Sequence, residues 1–216
     1  YDPVKDFDGL TNTVEIPMVL LVGSKAPVKT VGELTEYLKA KPDAATYGTA
    51  GAGSTSHFAG ELFASLTNLQ LVHVPYKGNA QALADVIGGQ VTMMFDQIGS
   101  AAASIRAGNV RALGVTTPTR SAAFPDIPTI SESGIAAYSD VTFNGLVAPK
   151  GTPPAVLQKL HAAVKATLDD PATRKSFTDR GMDVRLSASP AAYTDFLKSE
   201  TEKYARLVKE RGLTPQ

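Results

Sequence analysis

The sequence predicts an α/β fold, and three observations carry that expectation. Short apolar runs alternate with segments whose apolar residues recur at helical spacing, the runs themselves are almost continuously hydrophobic, and the connections are brief. Strands of that kind are buried on both faces, so a mostly parallel sheet flanked by helices is expected. The 216 residues are 43% hydrophobic, enough to bury a core as one large domain or two small ones.

Residues 1–13 read as polar and turn-like. Val14, Ile16, Met18, Val19, Leu20, Leu21 and Val22 then form one apolar run, a buried strand that ends at Gly23. Thr30 and Glu33 make a capping box for a helix carrying Val31, Leu34, Tyr37 and Leu38 as far as Pro42. A strand over 45–49 leads into GTAGAGSTSHFAGELF, residues 48–63. This stretch reads as a turn with Gly48, Gly51 and Gly53, then a helix capped by Ser54 that turns Phe58, Leu62, Phe63 and Leu66 inward. The rhythm repeats with strand 71–74, the turn PYKGN, helix 80–87, strand 91–95, helix 98–107 and strand 112–116.

TPTRSAAFPDIPTISESG is a connecting loop, with Pro128 placed to start a short helix that ends at Gly134. A strand through Val141, Phe143, Leu146 and Val147 stops at Pro149. Thr152 is the expected N-cap of a helix striped by Val156, Leu157, Leu160, Val164 and Leu168. Asp170 and Pro171 open a second helix, to Arg180. Ser189 and Pro190 open a third, with Tyr193, Phe196, Leu197, Tyr204, Leu207 and Val208 on one face. One short strand, 183–186, accompanies these three helices, too little sheet for their apolar stripes.

The glycine turn carries the chemistry. A strand, a glycine-rich turn and a helix start aim several backbone N–H groups at one spot, which suits an anion, and Ser54, Thr55, Ser56 and His57 can add donors. The same turn also serves plain geometry, because glycine tolerates tight bends. Its spacing, G-x-x-G-x-G, matches neither the dinucleotide pattern nor a P-loop, since no Gly-Lys-Ser/Thr follows; a small carboxylate is the better guest. Ligands of such sheets lie beyond the carboxyl ends of strands, where residues 49–57, 76–79 and 96–99 converge. Asp96 can accept from an amine or hydroxyl of the guest, or cap the helix that begins at Gln97.

Other chemistries find less support. Twenty-one basic residues balance twenty-one acidic ones with no basic cluster, which argues against nucleic acid. There is no cysteine, hence no disulfide or thiolate chemistry. No run approaches the roughly 18 apolar residues of a membrane span, and no leader-like segment is visible. His57, His73 and His161 sit in different elements without metal spacing, so neither metal nor cofactor is expected, and His73 and His161 read as structural or solvent-facing. Ser54 or Ser56 with His57 and Asp96 could form a nucleophile, base and orienter, but any serine-rich turn beside a histidine offers as much. A small α/β enzyme using Ser54 and His57, and a lobe that signals ligand occupancy to a protein partner, stay open as alternatives.

GTAGAGSTSHFAGELF, VPYKGNAQALADVIGGQVTMMFD, LGVTTPTRSAAFPDIPTISESG and APKGTPPAVLQKL follow one another in an order that resembles the tripartite tricarboxylate transporter solute-binding proteins, the Bug or TctC family. The resemblance covers essentially the whole chain. It implies a type II periplasmic-binding-protein fold with one complete lobe, residues 22–143, and the C-terminal part of the other, residues 1–21 and 144–216. It further implies a periplasmic receptor of a Gram-negative bacterium, its signal peptide not present in this chain. Such a receptor captures an organic acid or acidic amino acid for the membrane permease subunits without chemistry on the ligand. Family members hold the carboxylate by backbone amides and waters from two loops, the second matching residues 49–57. The implied ligand-binding set is Thr49, Ala50, Gly51, Gly53, Ser54, Thr55, His57 and Asp96, with Asp96 tuning which acid is accepted. Members normally carry a further segment, with the other loop, ahead of the point matching YDPVKDF. The chain is therefore expected to be a fragment or a shortened member, with exposed apolar surface on helices 153–168 and 190–208, a tendency to dimerise or exchange strands, and weak binding by half a cleft.

Overall fold

Pro17 cuts the expected apolar strand in two. The computed structural model describes residues 2–213, and in it β1 runs Phe7–Ile16 and β2 Met18–Gly23. Proline has no N–H for a ladder, and the Pro17 carbonyl instead accepts from the Ile98 N–H at 2.9 Å. The two strands join different sheets and different units. By internal contacts the described residues divide into unit 1, residues 2–16 and 142–210, and unit 2, residues 17–141 with 211–213. The divisions fall at 16/17 and 141/142 rather than at 21/22 and 143/144, because β2 is a core strand of unit 2. Residue 1 and residues 214–216 of the expected outer segment lie outside the described residues.

In unit 1, β1 lies between β7 (Thr142–Pro149) and β8 (Asp183–Val184), all antiparallel. The opening was expected as turns, and its polar composition hid the strand. Thr11 and Asn12 are buried within β1; the Thr11 hydroxyl and two backbone N–H groups of the strand find partners far along the chain, while Asn12 Oδ1 has no hydrogen-bond partner among the described residues. Ser187 N–H donates to Thr11 Oγ1, Asn12 N–H to Ser187 Oγ and Gly9 N–H to Thr194 Oγ1, each at 3.1 Å. Three helices follow, α5 (Pro154–Asp169), α6 (Pro171–Thr178) and α7 (Pro190–Arg211). Asp170 caps α6 as expected, accepting from Thr173 N–H. Thr152 does not cap α5: its hydroxyl donates to the Pro149 carbonyl, and Pro153 stands at the cap without a side-chain bond. Apolar exposure does occur on α5, at Val156 (45%) and Leu160 (43%), and also on β7, at Leu146 (45%) and Val147 (44%). On α7, Tyr193 and Leu207 are buried.

Unit 2 continues from β2 through α1 (Val31–Ala40), β3 (Thr46–Thr49), α2 (Thr55–Thr67), β4 (Val72–Pro75), α3 (Asn79–Gly88), β5 (Met93–Gln97), α4 (Ile98–Arg106) and β6 (Val110–Val115). The sheet order is β4-β3-β5-β2-β6. β3 is parallel to both its neighbours, whereas β2 runs antiparallel to β5 and β6, so the sheet is mixed rather than mostly parallel. An all-apolar strand reads alike in either direction, and composition could not show that β2 enters beside the end of β5. Alternate residues of β2 serve opposite faces. Met18, Leu20 and Val22 pack with Tyr47, Phe63, Phe95 and Tyr138, while Val19 and Leu21 pack with Val86, Met94 and Ile98. The capping box at Thr30 forms in part: Thr30 accepts from Glu33 N–H, and the Glu33 carboxylate reaches one residue further back, to Lys29 N–H. After Pro128 no helix forms; Thr129 and Glu132 bond reciprocally across a turn.

Candidate functional site

β3 ends in the buried Thr49 and α2 starts at Thr55, leaving residues 50–54 to turn the chain. Gly51 (φ +122°) and Gly53 (φ +75°) adopt left-handed backbone that a side chain would strain. Ser54 is the N-cap, as predicted, its Oγ accepting from His57 N–H at 3.3 Å.

The loop satisfies most of its own donors. Ala50 N–H reaches Ser56 Oγ at 3.0 Å, Gly51 N–H reaches Thr49 Oγ1 at 3.1 Å, Gly53 N–H reaches His57 Nδ1 at 3.0 Å and Ser54 N–H reaches the Gly51 carbonyl at 3.2 Å. These residues set the shape of the loop and do not present those amides outward. Among the described residues, no group accepts from the N–H of Ala52, Thr55 or Ser56. Thr55 and Ser56 are the first two positions of α2, where helix geometry leaves donors unpaired, and Ala52, Gly53 and Thr55 are exposed.

Asp96 lies at the end of β5. Gly48 of β3 is level with Met94, which puts Asp96 beside the start of the glycine loop. Its side chain is buried, and Oδ1 accepts from Asn79 Nδ2 (2.6 Å), Gln97 N–H (2.8 Å) and Ser100 Oγ (2.9 Å). Burial pushes the Asp96 carboxyl up, against the pull of those three donors. It therefore anchors the starts of α3 and α4. Lys77, in the turn before α3, is exposed.

A polar cluster that the sequence did not reveal lies under the loop. Glu61 is buried on α2, one helical turn from His57, and accepts from Tyr47 OH at 2.5 Å and from Arg211 Nε at 2.6 Å. Burial opposes its charge, but the bonds from Tyr47 and Arg211 win and hold its carboxyl below the usual range. His57 and His73 stack with ring centroids 4.1 Å apart, and His73 Nε2 meets Thr49 Oγ1 at 2.6 Å. His57 and Glu61, spaced i and i+4, were the available signal. The inward face of α2 is accordingly more polar than expected: Ser56, His57, Glu61 and Phe63 are buried, while Phe58, Leu62 and Leu66 are half-buried.

The serine, histidine and aspartate are not assembled as a triad. His57 Nδ1 is taken by Gly53, its Nε2 lies 3.9 Å from Glu61, and Asp96 is engaged by Asn79, Gln97 and Ser100. Among the described residues no cluster of three or more His, Asp or Glu could hold a metal ion, and no helix is long and apolar enough to cross a membrane. Two concavities lie elsewhere: one of about 480 Å³ in unit 1 against Asp8, Leu157 and Thr194, and one of about 190 Å³ in unit 2 against Gly23, Tyr37 and Thr92. Neither includes any of the eight residues predicted for ligand binding.

Comparison with known proteins places this geometry among relatives. The family described as the tripartite tricarboxylate transporter family receptor matches residues 1–213. A UPF0065 protein of Pseudomonas sp. (strain P51) is 33% identical over 214 residues, and one of Cupriavidus necator is 36% identical over 213. Both alignments cover 99% of this chain, which spans 63% and 64% of those relatives' lengths. Among solved structures, an R. palustris protein with adipate superposes with a TM-score of 0.82 at 30% identity, covering 100% of this chain and 72% of that one. MatC from Rhodopseudomonas palustris with bound malate gives 0.76 at 32%, covering 96% and 71%. The periplasmic binding protein BugD gives 0.78 at 33%, covering 100% and 73%.

Proposed function

Since the chain belongs to the tripartite tricarboxylate transporter receptor family, with the fold of its periplasmic binding proteins, we propose that it captures a small carboxylate for the permease subunits of such a transporter. The setting proposed is the periplasm. The role is binding without chemistry on the ligand, and the separated Ser54, His57 and Asp96 are in keeping with that. The supporting observation is the pair of unpaired amides at Thr55 and Ser56, which open α2 where β3 ends. A helix start is electropositive and offers N–H donors to an anion. Thr49, Ala50, Gly51, Gly53, Ser54 and His57 fix the loop around those donors, and Asp96 borders it. The adipate and malate bound to the two R. palustris proteins make dicarboxylates the first ligands to test.

Thr55→Pro, read against Thr55→Val, tests the reading at the first amide of α2. Proline is welcome at the first helical position and removes the N–H together with the Thr55 hydroxyl, so Thr55→Val, which removes the hydroxyl alone, is the reference for affinity; Ser54 already has the extended backbone that precedes proline (φ −73°, ψ 163°). A charge-assisted hydrogen bond is worth about 1.5–3 kcal/mol, so T55P should bind malate or adipate roughly tenfold or more weakly than T55V in calorimetry. Its melting temperature should stay near that of the parent. Equal affinity in T55P and T55V, or no thermal shift of the parent with millimolar malate, adipate or glutamate, would rule the reading out.

A further inference from the structure

Two imidazoles tie down the glycine loop after β3. Gly53 N–H donates to His57 Nδ1 at 3.0 Å, so that nitrogen carries no hydrogen and the neutral ring holds its proton on Nε2, 3.9 Å from Glu61 Oε1. Gly51 N–H donates to Thr49 Oγ1, and the same hydroxyl meets His73 Nε2 at 2.6 Å. The rings of His57 and His73 lie 4.1 Å apart at an interplanar angle of 13°, with Tyr47 stacked 5.1 Å from His73. The ionisable groups around the pair are Glu61 on α2, the Tyr47 phenol on β3 and Arg211. Tyr47 and Arg211 occupy one oxygen each of Glu61, which leaves that carboxylate poorly placed to stabilise a second cation.

We infer that His57 and His73 are positioning residues for the glycine loop, and that a proton on His57 releases it. A doubly protonated His57 would set an Nδ1–H against the Gly53 N–H, donor against donor, and that bond is lost. The Thr49 contact survives a proton on His73, because a hydroxyl can accept as well as donate. Stacking at 4.1 Å disfavours two charged rings at once. Burial lowers the affinity of His57 for a proton, with Glu61 opposing; burial and then the charge on His57 lower that of His73. Both folded rings thus bind protons less readily than in the unfolded chain. The closed loop is fully favoured above the ordinary histidine value of 6.5 and loses that advantage as pH falls through it toward the lowered values. The inference deepens the carboxylate reading, on which its effect on binding rests.

The test follows the Gly51 and Gly53 amide resonances of the ¹⁵N-labelled full chain from about pH 8 to about pH 5 without ligand. Gly53 should move in one step, midpoint below 6.5, in register with the His57 ring carbon resonances of the same sample. In His57→Asn, whose Oδ1 accepts in place of Nδ1 and does not titrate, the Gly53 resonance should hold still. A Gly53 resonance that is fixed in the parent, that titrates apart from His57, or that moves equally in H57N would overturn the inference. Calorimetry with malate at about pH 7.5 and 5.5 then reads the consequence. The parent should lose roughly fivefold more affinity than H57N, with the ionisation of malate common to both. Equal losses would overturn the link to binding. Absence of malate binding at either pH would count against the carboxylate reading alone, the loop being decided by the amides.

Discussion

Gly60 has no room for a methyl group, because a Cβ built there would run into the ring edge of Tyr47. That ring carries the hydroxyl that holds Glu61, so Gly60→Ala must displace either the helix or the buried bond. Overpacking of this kind costs about 1–3 kcal/mol, and the expected loss of stability should appear in urea unfolding as a lower midpoint at unchanged slope. A G60A chain as stable as the parent would show that Tyr47 can move freely. Gly60, Tyr47 and Glu61 illustrate what residue-level reading could not supply. Gly51, Gly53 and Ser54 were legible as a turn and a cap because their roles are local. Glu61, by contrast, sits on a helix that reads as amphipathic, and its partners, Tyr47 and Arg211, are 14 and 150 positions away. The spacing of Glu61 four residues after His57 is its one local mark, and it does not disclose donors that come from other elements.

The junction of β3 and α2 is the element on which the proposed site depends, and Ser54 is its pivot. Its Oγ accepts from His57 N–H, donates to the Gly51 carbonyl at 2.6 Å and meets Ser56 Oγ at 3.0 Å. Ser54→Ala removes the cap and frees the loop, at a cost of about 1 kcal/mol. Amide hydrogen exchange should quicken across residues 51–57 and stay unchanged in α1, and protection retained at Gly53 would show that His57 holds the turn alone. Helix starts with side-chain caps, at Thr30, Ser54 and Asp170, were readable because a cap is a bond over three residues. The misread strands were those whose partners are remote, whereas the helix expected after Pro128 and the cap expected at Thr152 failed locally. β1 is a strand of mixed polarity whose Gly9 and Asn12 N–H groups reach Thr194 and Ser187, and β2 owes its direction to strands 71 to 96 residues later in the chain.

At the scale of the molecule, the two units differ in how fully they cover their strands. The sheet of unit 2 buries both faces of β2. In unit 1, Leu146 and Val147 are consecutive on β7 and so face opposite sides, yet both are nearly half exposed. Neither face of that stretch is well covered, and β7 is an edge of its sheet. Exposed apolar edges invite pairing with another chain. We expect this chain to associate with rising concentration, and Val147→Lys with Leu160→Lys to suppress it; sedimentation velocity showing a monomer at every concentration would refute this. The α/β class was visible because helical and strand periods are local, while the exposed edge depends on which strands fail to find neighbours. The pairing of Ile16 with Thr142 has a further use. It brings the entry and exit of residues 17–141 side by side in one ladder, so that stretch is a cassette that starts and stops at the same doorway. Cut out and closed by a short linker, it should fold by itself, though less stably than in the full chain because the buried Glu61 loses its bond from Arg211, and grafted between two paired strands of an unrelated host it should leave that host's ladder in register.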